Sequence, residues 1–193
     1  MGIRKSTEGK LLGGTMTRIM RDSTTATDIP VQGTELVAGY INGIYAWTEE
    51  GYGRFPGIPH ILMDIHGDSP HAGVLDVEPK CAPLDAAPSW VKARHKLLPD
   101  AYPPVIYVNR STLTPLFNVL EADGLHVVRD FRLWIATLDG TRKVADMTGV
   151  TAVQYKRARN QKDGHWTEEP GPAVTEGHFD ESLVYDDEWH HHA

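Results

Sequence analysis

The sequence predicts an α/β fold, a shortened TIM-like barrel of five β/α units followed by three β-strands. Short apolar runs alternate with helix signals from Thr17 onward, which is typical of strand–helix repeats around a parallel sheet. After Gly124 the strands are no longer separated by full helices. A regular eight-helix barrel takes about 250 residues, so losing the last helices would let these 193 residues close eight strands. A small open doubly wound sheet is the main alternative.

Eight segments are predicted to be strands because each is short, rich in branched residues and flanked by turn formers. In order they are 18–22, 36–41, 60–65, 73–78, 104–109, 131–136, 150–155 and 177–185. The clearest helices are 88–98, with Ser89 near its start, and 112–123, with Pro115 in its first turn and Gly124 after its last. Residues 160–175 contain glycine and proline breaks, so we expect a long surface loop there.

The composition predicts one domain, residues 16–193, preceded by an N-terminal arm of residues 1–15. The net charge of −7 argues against binding to nucleic acid or anionic lipid, and no apolar run approaches the roughly 18 residues of a membrane span. Cys81 is the single cysteine, so no intrachain disulfide can form. The histidines at 190–192 lie in a terminal cluster that lacks preorganisation, so we expect neither a metal site nor a cofactor.

The most informative segment is Leu75-Asp76-Val77-Glu78-Pro79. Alternate side chains of a strand share a face, which places Asp76 and Glu78 side by side with Cα atoms about 6.6 Å apart. Pro79 disfavours the α region for Glu78 and so keeps it extended. Close carboxyls in a partly dry cleft cannot both ionise freely, which leaves an acid beside an anion. Glycoside hydrolysis needs such a pair, although paired acids at strand ends also make structural salt bridges or caps.

Residues 75–78 resemble the Asp-x-Glu motif on the fourth strand of family-25 glycoside hydrolases, the lysozyme-like muramidases. Segments 105–109, 133–136, 153–155 and 179–180 resemble the fifth to eighth strands in the same order. Asp22 matches the position of that family's first acidic residue. The resemblance covers about residues 17–189 and is closest to the short glycoside-hydrolase-like domains of actinobacteria and their phages.

The resemblance implies a barrel of five β/α units and three strands that cleaves the glycan strands of peptidoglycan. It implies that Glu78 is the general acid, that Asp76 positions or stabilises the reacting sugar, and that Asp22 and Asp180 line the cleft. A direct nucleophile and a substrate-assisted route both remain open, because the sequence gives no distance between carboxyls. No secretory signal is apparent in the arm, so we expect synthesis in the bacterial cytoplasm and release by lysis or carriage on a phage particle.

Six further residues are candidates for binding substrate. Aromatic faces offer apolar area beside polar edges and can stack on sugar rings, although strand aromatics are more often core. Asp64 can join the site or cap the following turn, and Cys81 is expected to be an inert thiol. The candidates are Asp64, Tyr40, Tyr107, Trp134, Gln154 and Tyr155.

The first strand departs from the family pattern, since Asp22 is followed by Ser23 and Thr24 without the tryptophan and glutamine of active members. Arg21 or another cation could also pair with Asp22 or Asp76 and give the acids a structural role. The alternative hypothesis is therefore a catalytically silent barrel that serves as a phage virion component or binds glycan. In it, the N-terminal arm would tether the domain to virion proteins.

Overall fold

The computed structural model describes residues 17–162, 165–166, 171–186 and 188–189. The predicted arm and the histidines at 190–192 lie outside this part of the chain. Its strands are β1 (Arg18–Asp22), β2 (Leu36–Tyr40), β3 (His60–Asp64), β4 (Val74–Val77), β5 (Val105–Asn109), β6 (Arg132–Ala136), β7 (Val150–Lys156), β8 (Gln161–Lys162), β9 (His165–Trp166) and β10 (Asp180–Val184).

Eight of these strands close a barrel in the order β1, β10, β7, β6, β5, β4, β3, β2, which confirms the predicted closed barrel. Neighbouring strands from β1 to β7 are parallel, whereas β10 runs antiparallel to both β7 and β1. The carboxyl ends of the seven parallel strands therefore share one end of the barrel. Because β10 runs the other way, its first residue, Asp180, lies at that same end.

Five β/α units would supply five helices, and the described residues contain fewer. The α-helices of the described residues are α1 (Glu49–Gly53), α2 (Ala86–Leu97) and α3 (Leu113–Ala122). Between β1 and β2 there is only a 3₁₀ turn, Ala26–Asp28, and the β3–β4 connection has no helix. In that connection the Asp64 carboxylate accepts hydrogen bonds from the backbone N–H groups of His66, Gly67 and Ser69. Such side-chain bonds to the backbone compete with helix formation.

The two helices with the clearest sequence signals form within two residues of their predicted bounds. Gly124 follows α3 with a φ of 77°, a left-handed conformation that suits glycine after a helix. The expected loop at 160–175 includes β8 and β9, which pair antiparallel, and residues 163–164 and 167–170 lie outside the described part. No described helix combines the length and apolarity needed to cross a membrane.

Alternate residues of the barrel strands pack inside the barrel or against its outer face. The interior core includes Met20 and Trp134. On the outer face, one core under α2 and α3 includes Leu75 and Val153, and a smaller third core includes Val37 of β2. Because both faces are covered, β2 and β4 are buried throughout, and their sequences read as nearly continuous apolar runs. This alternation decides which polar residues enter the barrel.

Candidate active site at the barrel mouth

The structure brings the four predicted acids together at the carboxyl end of the barrel. Asp22 ends β1, Asp76 lies on β4, Glu78 follows β4, and Asp180 begins β10. Asp22 and Asp180 face each other across the β1–β10 pair. The charges of Asp180, Asp76 and Glu78 each raise the pKa of Asp22, as expected for carboxyls in one cluster.

Burial is the largest cause of the altered titration of these acids. Asp22 and Asp76 are only 4% and 2% exposed, whereas Glu78 and Asp180 are half-buried. Burial, reinforced by the charge of Glu78, raises the pKa of Asp76 to about 8. Burial also raises the pKa of Asp180 to about 6 and that of Glu78 above its ordinary value. The cluster therefore keeps at least one proton at neutral pH.

A hydrogen bond distinguishes Asp180 from the two inner acids. Oδ1 of Asp22 and Oδ1 of Asp76 accept no hydrogen bond from any described residue. Asp180 accepts one from the Ala158 backbone N–H, which lowers its pKa against the larger effect of burial. The inner carboxyls are thus buried with little compensation, which is costly for an ionised group.

Arg21 does not neutralise the cluster. Its guanidinium donates to Glu181 at 3.2 Å and also to the Gln32 carbonyl and the Thr34 hydroxyl. It lies over the Phe179 ring, on the outer side of the barrel. The expected alternative of an ion pair between Arg21 and Asp22 or Asp76 is therefore wrong. A different cation, Arg157, lowers the pKa of Asp180 against the larger effect of burial.

Four of the predicted substrate-binding residues line the barrel beneath and beside the acids. Tyr107 is the register partner of Asp76 and contacts Trp134 edge-on, with ring centroids 4.8 Å apart. Trp134 is fully buried and donates its indole N–H to Ser182 at 3.0 Å, so it forms the floor of the site. Tyr40 and Gln154 also face the interior and are buried.

The other two candidates lie elsewhere. Tyr155 follows Gln154 on β7 and therefore faces the outer side, where its hydroxyl donates to Glu181. Asp64 also faces outward, towards α2, and accepts the Trp90 indole N–H at 2.9 Å. Both side chains therefore face away from the acid cluster.

Asp64 is a structural carboxylate. It is fully buried and accepts five hydrogen bonds, from the Asn42 amide, the Trp90 indole and three backbone N–H groups. Burial acts to raise its pKa, but the hydrogen bonds from Asn42, Ser69, His66 and Gly67 outweigh this and lower it. The capping alternative considered for this residue is the one that its contacts support.

Cys81 lies on the turn after Glu78. Burial, reinforced by the charge of Asp76, raises the pKa of its thiol to about 12, so the thiol stays protonated, in agreement with the expectation of an inert side chain. A cavity of about 240 Å³ also borders Glu78, between Pro79, Pro83 and Thr112. No three His, Cys, Asp or Glu side chains among the described residues are arranged to hold a metal ion.

The fold is similar to that of the catalytic domain of endolysin ply40 from bacteriophage P40 of Listeria monocytogenes. The TM-score is 0.50 and the identity 12%, over 93% of this chain and 98% of that one. The CTP1L endolysin matches with a TM-score of 0.47 and 14% identity, over 89% of this chain and 67% of that one. No family model matches the sequence, and no curated protein is significantly similar. At this identity, the likeness to the ply40 domain concerns the fold.

Proposed function

We propose that the chain is a muramidase-type glycosidase that hydrolyses the glycan strands of bacterial peptidoglycan. The observation that carries the proposal is the convergence of Asp22, Asp76, Glu78 and Asp180 at the carboxyl end of a barrel, where barrel enzymes hold their active sites. The similarity to an endolysin catalytic domain supports the same substrate class.

In this proposal Glu78 is the general acid. Its carboxyl is half-buried beside a cavity, and burial raises its pKa above the ordinary value, which is the direction that a general acid needs. As the glycosidic C–O bond breaks, that proton passes to the leaving oxygen, and water then supplies hydroxyl to the sugar and returns the proton. The Tyr107 hydroxyl, which lowers the pKa of Glu78 against the larger effect of burial, would hold the carboxyl in position.

Asp76 stabilises the reacting sugar in this proposal. Burial and the charge of Glu78 raise its pKa to about 8, so its carboxylate would stabilise the positive charge that develops at the sugar as the pH approaches that value, either directly or by holding the substrate's N-acetyl group for attack. Asp22 and Asp180 would line the cleft and help to keep a proton on the Asp76–Glu78 pair by like-charge repulsion. Tyr40, Tyr107 and Gln154 would contact the sugar from the wall of the site.

The proposal is tested by incubating purified full-length protein with peptidoglycan and measuring new reducing ends. Glu78→Gln is expected to lower the rate by at least about 100-fold, because it removes the transferable proton. Glu121→Gln, on an exposed residue at the far end of α3, is the matched control and should leave the rate unchanged. Reduction of the products with borohydride identifies which sugar carries the new end. Equal rates of reducing-end release by wild type and Glu78→Gln would contradict the proposal that the chain is a glycosidase.

A non-catalytic barrel that binds glycan or serves in a virion is the second candidate, and the deep burial of Asp22 and Asp76 favours it. Sedimentation with peptidoglycan distinguishes the two functions. Binding without any release of reducing ends would support the silent barrel. In that case, removal of residues 1–15 should abolish attachment to virion proteins without unfolding the domain; retained attachment would contradict the tether.

A further inference from the structure

The turn after β2 carries an isoleucine that is almost entirely exposed. Ile44 is 88% exposed in the middle of the 3₁₀ turn Gly43–Tyr45, and no other large apolar side chain of the described residues is more than 44% exposed. Because β2 ends at Tyr40, the turn lies at the carboxyl end of the barrel, as the four acids do. A lone exposed isoleucine is ordinary on a protein surface, so the significance of this one depends on its neighbours.

Tyr45 connects the turn to the acid cluster. Its half-buried ring packs against Tyr40, with ring centroids 5.7 Å apart and ring planes tilted by 55°, and contacts the interior core. Asp22 pairs with Ala38, which is two residues before Tyr40 and on the same face of β2. Tyr45 therefore borders the wall of the candidate site. It was not predicted from the sequence, because it lies outside the strands.

Asn42 and Gly43 fix the turn on the side of β3. The Asn42 side-chain N–H donates to Asp64 at 2.7 Å, and its side-chain oxygen accepts the backbone N–H of Ile65 at 3.0 Å. Gly43 adopts a φ of 71°, and a Cβ at this position would lie 2.3 Å from the end of the Ile65 side chain. Glycine therefore lets the turn lie directly on the end of β3.

Trp47 fixes the chain after the turn on the side of β1. Its backbone N–H donates to the Tyr40 carbonyl at 2.8 Å. Its indole N–H donates at 3.0 Å to the carbonyl of Ser23, the residue after Asp22. The indole lies on Gly39, where a Cβ would come within 2.6 Å of the ring. The turn is therefore held beside the acids before any ligand arrives, which reduces the entropic cost of binding.

We propose that Ile44 and Tyr45 form a sugar-binding platform that recognises an N-acetylated pyranose of the glycan strand. Tyr45 offers its ring to the C–H face of the sugar, and Ile44 offers aliphatic surface to the methyl group of the N-acetyl substituent. Two side chains beside four carboxyls suit a small polar ligand with one apolar face, whereas a protein partner needs a far larger surface. The choice of glycan rests on the proposed function, but the contact itself also fits a barrel that binds glycan without cleaving it.

The binding test uses full-length Glu78→Gln, which should leave the glycan intact, with its isoleucine methyl groups labelled for NMR. The Ile44 signal is the one that Ile44→Ser removes. Titration with the tetramer of N-acetylglucosamine should shift this signal. The glucose tetramer, which lacks the N-acetyl groups, should shift it less. An Ile44 signal that the N-acetylated tetramer leaves in place would overturn the proposal.

Substitutions separate the contact with the sugar ring from the contact with the N-acetyl group. Tyr45→Ala should weaken binding of both tetramers by roughly five- to tenfold, whereas Tyr45→Phe keeps the ring and should stay within about twofold of wild type. Ile44→Ser should weaken binding of the N-acetylated tetramer alone, by roughly three- to fivefold. Equal losses for the two tetramers in Ile44→Ser would contradict recognition of the N-acetyl group.

Val31→Ser is the matched control for Ile44→Ser. Val31 is an exposed aliphatic residue that precedes β2, and its replacement should change the affinity for neither tetramer. Ile44→Ser also keeps the test valid if Tyr45→Ala fails to fold, because a side chain that is 88% exposed contributes little to stability. A loss of affinity in Val31→Ser equal to that in Ile44→Ser would contradict the platform.

Turnover of peptidoglycan by the wild-type background separates the platform from the hydrolase. Ile44→Ser should raise KM by the same roughly three- to fivefold with kcat unchanged, because its contact binds substrate and transition state alike. A merely structural role would lower kcat as well. A shifted Ile44 signal in a protein that releases no reducing ends would refute the hydrolase alone. An active wild type whose KM is unchanged by Ile44→Ser and Tyr45→Ala would refute the platform alone.

Discussion

Asp64 and Asp76 lie at the carboxyl ends of neighbouring strands, and both are buried, yet their surroundings are opposite. Asp64 accepts five hydrogen bonds, and its pKa is lowered. Asp76 faces the barrel interior with an unpartnered Oδ1 and two neighbouring carboxyls, and burial with the Glu78 charge raises its pKa to about 8. Burial alone therefore does not separate the structural Asp64 from the acids of the cluster; the partners of the carboxyl oxygens do.

The largest expected loss of stability follows from replacing the structural acid, Asp64. Asp64→Ala would leave five donors without their acceptor in a closed loop, and we expect it to lower the free energy of unfolding by at least about 3 kcal/mol. Urea denaturation at pH 7 measures this loss. Asp68→Ala is the matched control, since Asp68 is exposed in the same loop, and it should cost less than about 1 kcal/mol. Similar losses of unfolding free energy in the two variants would contradict the structural role of Asp64.

Asn42→Asp would make the structural site resemble the acid cluster. The Asn42 amide donates to Asp64 at 2.7 Å, and the substitution replaces that donor with a second carboxyl. We expect the free energy of unfolding to fall by about 2 kcal/mol at pH 7. Because the new carboxyl would have a raised pKa, the variant should be more stable at low pH, where that carboxyl is protonated, and less stable as the pH rises through its pKa.

Chemical denaturation between pH 4 and 8 tests the effect of Asn42→Asp. Asn42→Ala is the control, because it removes the same donor without adding a charge, and its loss should not recover on acidification. If the aspartate and alanine variants show the same pH dependence, like-charge repulsion is not what distinguishes the two regions.

Strand alternation explains how much of this difference could be predicted from the sequence. The pattern Asp-x-Glu on a short apolar run predicted the shared face of Asp76 and Glu78, and this inference depends only on the two-residue period of a strand. The place of Asp22 and Asp180 beside them was implied by the resemblance to family-25 glycoside hydrolases. The same period, applied to Gln154 and Tyr155, shows that only one of them can face the interior.

The contacts of single side chains could not be predicted in this way. Asp64 points away from the site because its neighbour Met63 fills the interior, and its hydrogen bonds depend on a loop conformation that no period specifies. The turn after Glu78, which holds Cys81, includes the left-handed Lys80, a conformation that residues other than glycine adopt uncommonly. Arg21 pairs with Glu181 because the two side chains share the outer face of β1 and β10.

The smallest expected change in the free energy of unfolding is an increase, and it follows from replacing Asp76 in the acid cluster. Because the folded pKa of Asp76, about 8, exceeds its ordinary value of 3.8, the protonated carboxyl contributes stability that is present below pH 4 and lost as pH rises through 8. Asparagine cannot ionise, so Asp76→Asn should match wild type at low pH and exceed it by roughly 1–2 kcal/mol above pH 8, while abolishing peptidoglycan hydrolysis. Chemical denaturation of both proteins from pH 4 to 9 measures this difference, with Asp64→Asn as the control that should lose stability throughout. A destabilised Asp76→Asn at pH 8 would mean that Asp76, like Asp64, is held by partners, and that the barrel mouth is built for structure.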